Sequence, residues 1–232
     1  MSAQPHKIFR HGKLTEVAPG LFRVWGSLPF PLSRNMFVYK LPDGGLLLYS
    51  VVALDEPGMK ALEALGRPAV MVVPHPFHVM DAPFYAARYP DLKIVGMASA
   101  QARVPAGVRI DASPADALPP LGVRFHLAAG MKVDELVLEL PLADGAGTAL
   151  LFTDLVGQSE GKPGLMMKIL GPPGGAGVAR IVRWRQINDK AAVRAFLLQL
   201  AETPGLSTIA GCHGGVVTQG AQAWLKHAAT TI

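Results

Sequence analysis

Cysteine is almost missing from these 232 residues: Cys212 stands alone. No intrachain disulfide can form, which suits a reducing compartment and predicts a cytoplasmic protein. Charge is sparse too, at 17% of residues, with a formal net charge of +5. The cations are scattered apart from Arg180–Arg185 (RIVRWR), too diffuse a pattern for nucleic-acid recognition. Long apolar runs are lacking, and stretches such as Leu46–Leu54 are too short to span a bilayer. The start, MSAQPHKIFRHGKL, has charge but no apolar run behind it, so it does not read as a signal peptide. No internal repeat is visible. GPPGGAG at 171–177 lacks a preceding strand and a following Lys-Ser/Thr, so it is no phosphate loop. These absences predict a soluble protein that handles a small molecule, with neither nucleic acid nor membrane as partner.

Half of the residues are hydrophobic, enough to bury a large core. Residues 1–13 are polar and read as a loose lead-in, and 14–232 as a single domain. Leu14–Val17 and Leu21–Trp25 predict a hairpin around Pro19-Gly20. Asn35–Leu41 and Leu46–Ser50 predict two more strands across Pro42-Asp43-Gly44-Gly45. The pattern then switches. Asp55 can cap a helix with Pro57 in its first turn, and Gly66 ends it. Ala69–Val73 is a continuous apolar run, the mark of a strand buried on both faces. A short helix at Phe84–Tyr89, strands at Leu92–Val95 and Val108–Ile110, and a helical turn at Ser99–Arg103 between them complete a βαβαβ run, hence parallel pairing.

Strands return at Val123–Leu127, Leu136–Leu140 and Thr148–Thr153. Residues 155–188 form a long glycine-rich segment, in which Leu165–Leu170 predicts a helical turn over something apolar. Asp189 caps a helix with Val193, Phe196, Leu197 and Leu200 on one stripe. A strand at Leu206–Ala210 and a helix at Gln219–His227 end the chain. The order predicts an α/β (α+β) chain built as a two-sheet sandwich with helices on both outer faces.

Three strands end in a metal-capable side chain: His75 after 69–73, Asp154 after 148–153, and His213 after 206–210. Neighbouring parallel strands place such ends on one edge of a sheet, where α/β proteins usually put their sites. Imidazole with carboxylate is the usual ligand set for zinc or iron. His78 lies three residues past His75, so a turn can bring it alongside as a further ligand. Asp81, three further on, can orient either imidazole.

The stretches NMFVYKLPDGGLLLYS, AVMVVPHPFHVMDAPFYAARYPDLKIVG, TALLFTDLVG and IAGCHGG together resemble the metallo-β-lactamase-like superfamily. The resemblance implies a four-layer αββα sandwich of two mixed sheets and descent from metal-dependent hydrolases. It implies a first metal loop of the form His-x-His-x-Asp-His. Here His75 holds the first place, and Phe77, Val79 and Met80 hold the rest. The family's next histidine is Met131. Asp154 matches the bridging aspartate, in Phe-Thr-Asp-Leu, and His213 the late histidine. A binuclear zinc site does not fit this pattern.

Two readings follow. In one, His75, Asp154 and His213 hold a single zinc, iron or manganese ion. Its bound water attacks an ester, amide or thioester, and His78 or Asp81 assists. In the other no metal binds, and the altered loop lines an apolar cleft for a small molecule or another partner, or Phe77 and Met80 simply fill the core. Arg180, Arg183 and Arg185 either attract an anionic substrate or solubilise their loop. Glu135 is placed at the cleft mouth or in a solvated turn, His126 toward solvent or a loop, and Cys212 in the core.

Overall fold

The structure, a computed structural model, describes residues 6–30, 32–161 and 164–232. Met1–Pro5 of the lead-in lie outside the described residues.

Six strands make the first sheet, in the order β1 (Thr15–Ala18), β2 (Leu21–Ser27), β3 (Ser33–Lys40), β4 (Leu46–Tyr49), β5 (Pro68–Val73), β6 (Lys93–Gly96). The first four run antiparallel, and β4, β5 and β6 run parallel. The parallel steps are made by α1 (Glu56–Glu63) and α2 (Ala82–Arg88). Asp55 caps α1, its Oδ1 accepting from Gly58 N at 2.8 Å, with Pro57 in the first turn.

The second sheet contains β7 (Arg124–Leu127), β8 (Leu136–Pro141), β9 (Thr148–Phe152), β12 (Leu206–Gly211) and β13 (Val216–Val217), with β9 and β12 parallel. Between β9 and β12 the chain forms a two-stranded ladder, β10 (Gly157–Gln158) with β11 (Ala176–Gly177). It also forms α4 (Leu165–Leu170), α5 (Arg180–Arg185) and α6 (Lys190–Ala201). A short helix, α3 (Pro114–Ala117), precedes β7, and α7 (Ala221–Thr230) ends the chain.

Strand alternation builds the layers. Phe37, Tyr39, Leu47, Tyr49, Val70 and Val72 face Leu136, Leu138, Leu140, Leu151 and Ala210 across the middle of the molecule. Their neighbours Met36, Val38, Leu46, Leu48, Met71 and Val73 pack outward on Met59, Leu62, Ala82 and Tyr85 of α1 and α2. On the far side Val137, Leu150, Phe152 and Ile209 pack on Val193, Leu197, Leu200 and Leu225 of α6 and α7. The result is an αββα sandwich, in which strands buried on both faces carry no polar alternation.

Some expectations change. Val108–Ile110 is no strand. The backbone touches β6 beyond it, at a single bridge between Val95 and Ala112, while the Val108 side chain is buried among the α1–α2 core. Val108 is buried without pairing, while Arg109 is exposed and Ile110 only partly buried. The described part of the lead-in is not loose: Gly12 N donates to Trp25 O and Ser27 N to Arg10 O, both at 2.8 Å. The segment 155–188 carries two helices and a ladder of its own; elements this short leave no periodic signal.

Candidate metal centre

The parallel pairs β4–β5 and β9–β12 turn their C-terminal ends to one edge, where four chemically active loops meet. After β5, His78 N donates to His75 O at 2.9 Å, and this turn swings the His78 ring back beside His75. Leu136 N donates to Pro74 O at 2.8 Å, tying that loop to β8. After β9, Asp154 sits on a backbone held by Glu135, whose carboxylate accepts from Thr153 N at 2.9 Å, Leu155 N at 3.0 Å and Asp154 N at 3.3 Å. After β12, Asn35 Nδ2 donates to Gly211 O and Gly214 O at 2.9 and 2.7 Å, fixing the turn that bears His213.

His75, His78 and Asp154 each offer a donor atom within 4.8 Å of the others. His78 Nε2 is 3.1 Å from Asp154 Oδ1, and its Nδ1 is 2.8 Å from Ser50 Oγ. Asp154 Oδ2 accepts from Gln186 Nε2 at 3.1 Å. His75 is 1% exposed; its Nδ1 accepts from Phe77 N at 3.2 Å, and its Nε2 is buried with no partner among the described residues. A buried ring nitrogen without a partner is costly and calls for an explanation.

His213 stands differently. Its Nδ1 lies 2.6 Å from Ser33 O, and its Nε2 lies 3.2 Å from Asp154 Oδ1. Both ring nitrogens face acceptors, which is the environment of an imidazolium. Burial works against that charge, but the hydrogen bond and charge of Asp154 overcome it and raise the His213 pKa. Asp154 is the counterpart. Burial pushes its carboxyl up, and the His78 and His213 imidazoles pull it well below the ordinary range. Burial depresses His75 to about 4, so its ring is neutral at physiological pH. Burial, assisted by the charge of Asp154, lifts Glu135 to about 7.

The donor set suits a divalent ion, with two imidazoles and one ionised carboxylate; His75 Nε2 can ligate once the ring proton moves to Nδ1, at the expense of the 3.2 Å bond from Phe77 N. Of the residues singled out from sequence, the structure gathers His75, His78 and Asp154. It places His213 against Asp154 but outside the 4.8 Å group.

Asp81 lies elsewhere. It accepts from Arg34 Nη2, from Ala53 N at 2.7 Å and from His6 Nε2 at 2.9 Å, so it orients neither His75 nor His78. Phe77, 54% exposed, and Met80 line a cavity instead of filling the core. Glu135 is wholly buried beneath the site, not at its mouth. His126 bonds Glu139 Oε2 at 2.8 Å, and Cys212 is buried. Arg180 and Arg183 spend Nη1 on backbone carbonyls, of Lys168 and Gly171 and of Thr231 respectively. Ser50 and Gln186, which touch the centre, left no mark in the sequence.

Neither a protein-family model nor a curated protein sequence matches the chain. Solved structures do resemble it. A metallo-β-lactamase from Pseudomonas aeruginosa in a mono-zinc form superposes with a TM-score of 0.61 at 16% identity, covering 98% of both chains. One from Pontibacter korlensis gives 0.60 at 14%, covering 95% of this chain and 99% of that one. One from Erythrobacter litoralis gives 0.60 at 17%, covering 97% and 100%. Identities this low speak for architecture alone. The chain therefore has the metallo-β-lactamase-like fold along nearly its whole length, with a His75–His78–Asp154 cluster at the edge where its sheets converge.

Proposed function

We propose that this chain is a metal-dependent hydrolase with a single-ion centre held by His75, His78 and Asp154, acting on a small ester, amide or thioester. The convergence of His75, His78 and Asp154, whose donor atoms lie within 4.8 Å of one another, carries this reading. A divalent ion there supplies Lewis acidity and a water ionised near neutral pH.

The chain's own residues do the remaining work. Glu135 holds the 153–155 backbone and so fixes where Asp154 stands. Ser50 sets the His78 ring by its Nδ1. His213 keeps a proton at Nε2 against Asp154 and lines the cavity, so it is placed to give that proton to a leaving group. Phe77, Met80, Leu28 and Leu32 keep the cavity wall apolar and limit bulk water.

The mono-zinc state of the Pseudomonas structure is a property of that protein, and it agrees with a one-ion centre here. The ion is zinc, iron or manganese, ranked in that order by the nitrogen-rich donor set. The competing reading, a binding protein that uses the same cleft without metal, is favoured by the apolar lining. Metal analysis of protein purified without chelator separates them. One ion per chain, lost on His75→Ala and on His78→Ala, is expected. No metal after supplementation, with thermal stability unchanged, overturns the hydrolase reading.

A further inference from the structure

The site opens into a cavity of about 630 Å³, well within the range of small-molecule pockets. His78, Asp154 and His213 occupy only one part of its wall. Elsewhere it is lined by Leu28, Leu32, Met80, Met166, Met167 and Leu170. Three of these six are methionines, whose unbranched, rotatable side chains adapt to a flexible ligand better than to one rigid shape.

The charges on the wall are already engaged. Arg34 pairs with Asp81, Glu160 with Arg23 at 2.7 Å, and Asp154 with His78 and His213. Among the described residues the wall offers no spare cation for a carboxylate or phosphate. Phe30 and Phe77 on the lining are 53% and 54% exposed, and the polar Gln158, Ser159 and Glu160 line another part of it. On α4, Met166, Met167 and Leu170 face the cavity, while Leu165 and Ile169 stand exposed on the outside. A short helix apolar on both sides suits an entrance used by an apolar ligand.

We propose that the cavity takes a neutral, unbranched acyl chain. Its carbonyl end lies at His78, Asp154 and His213, and its tail runs along Met166, Met167 and Leu170. The carbonyl placement rests on the hydrolase reading above; the tail site does not. The apolar wall gives each added methylene about a fourfold gain in affinity, the equivalent of ~0.8 kcal/mol. That gain continues until the cavity is full.

The test uses two series on the full chain. The first is unreactive methyl alkyl ketones of increasing length, titrated while following the methionine methyl signals by NMR. Dissociation constants falling about fourfold per methylene, with Met80, Met166 and Met167 signals moving, are expected. Met167→Asp, on a half-exposed helix, should abolish the length dependence without altering the melting temperature. A dissociation constant independent of chain length overturns the proposal. So do shifts confined to the core residues Met36, Met59 and Met71, or a slope that survives in Met167→Asp.

The second series is 4-nitrophenyl esters from acetate to decanoate with metal-supplemented protein. A kcat/KM that climbs by the same factor supports both readings. Ketone binding with the slope but no ester turnover removes the hydrolase reading and leaves the acyl-chain site standing. Turnover that is insensitive to chain length removes the acyl-chain site and leaves the hydrolase.

Discussion

His78 and Asp154, 76 residues apart in the chain, meet with Nε2 and Oδ1 at 3.1 Å on the shared edge of the two sheets. The contact is either a hydrogen bond or, with an ion present, two neighbouring ligands. Asp154→Asn keeps the shape but removes the charge that also holds His213. Metal at a hundredfold over its dissociation constant should stabilise the wild type by about 2.7 kcal/mol, roughly 5–10 °C in melting temperature at this chain length. The shift should vanish in Asp154→Asn. Differential scanning calorimetry with metal and with chelator reads it, and an undiminished shift in the variant would remove Asp154 from the ligand set.

His75 and Glu135 should impose opposite pH dependences on the metal-free protein. His75 falls from 6.5 to about 4 on folding. The unfolded chain then binds more protons between those values, and stability is lost as pH drops through that window. Glu135 rises from 4.5 to about 7. Its contribution is full below 4.5 and is lost as pH climbs to about 7. Each has a limiting slope of about 1.4 kcal/mol per pH unit, and in the wild type they offset. Urea denaturation across pH 4–7 should therefore be flatter for the wild type than for either variant. His75→Gln should lose stability with rising pH, and Glu135→Gln with falling pH. Profiles for both variants parallel to the wild type would contradict the assignment.

Asp81 should prove a structural anchor. Its carboxylate joins the buried Arg34 guanidinium, the Ala53 amide and His6. Asp81→Ala leaves a cation 5% exposed without its partner, a loss of about 3–5 kcal/mol. Metal stoichiometry should be unchanged once the variant is folded at low temperature. Loss of metal with intact stability would instead restore the role that its spacing from His75 and His78 suggests.

Asp81 also shows where sequence reasoning stops. Spacing within one loop reveals which residues can share a turn, and it correctly brought His78 beside His75. It does not reveal a competing partner such as Arg34, 47 residues away. The layers were legible because strands such as Leu46–Tyr49 are apolar on both faces, and because Asp55 and Pro57 mark a helix start. Glu135 was illegible for the opposite reason. A carboxylate serving backbone amides leaves no side-chain pattern, so Asp134-Glu135 reads like any polar turn. Val108–Ile110 failed because burial against helices and burial in a sheet look alike over three residues.

Ser50 connects backbone conformation to the centre, and Ser50→Gly should uncouple stability from metal affinity. Ser50 has φ of 55°, among the described residues the only non-glycine with positive φ, a conformation that disfavours an L side chain by about 1–2 kcal/mol. Its hydroxyl meets His78 Nδ1 at 2.8 Å and can either donate to that nitrogen or accept from it. When Nδ1–H donates to Ser50, Nε2 presents its lone pair to an ion shared with Asp154; without Ser50 the ring is free to turn. Glycine relieves the backbone but deletes a hydrogen bond of similar net size, so unfolding free energy should change by less than about 1 kcal/mol. Metal affinity, measured by competition with a chromophoric chelator, should fall roughly 10–100-fold, the usual consequence of losing the partner that orients a ligating histidine. Ser50→Ala, which keeps the strained φ and loses the hydroxyl, should match the glycine variant in affinity and be the less stable of the two. Undiminished metal affinity in both variants would show that His78 is positioned by packing alone.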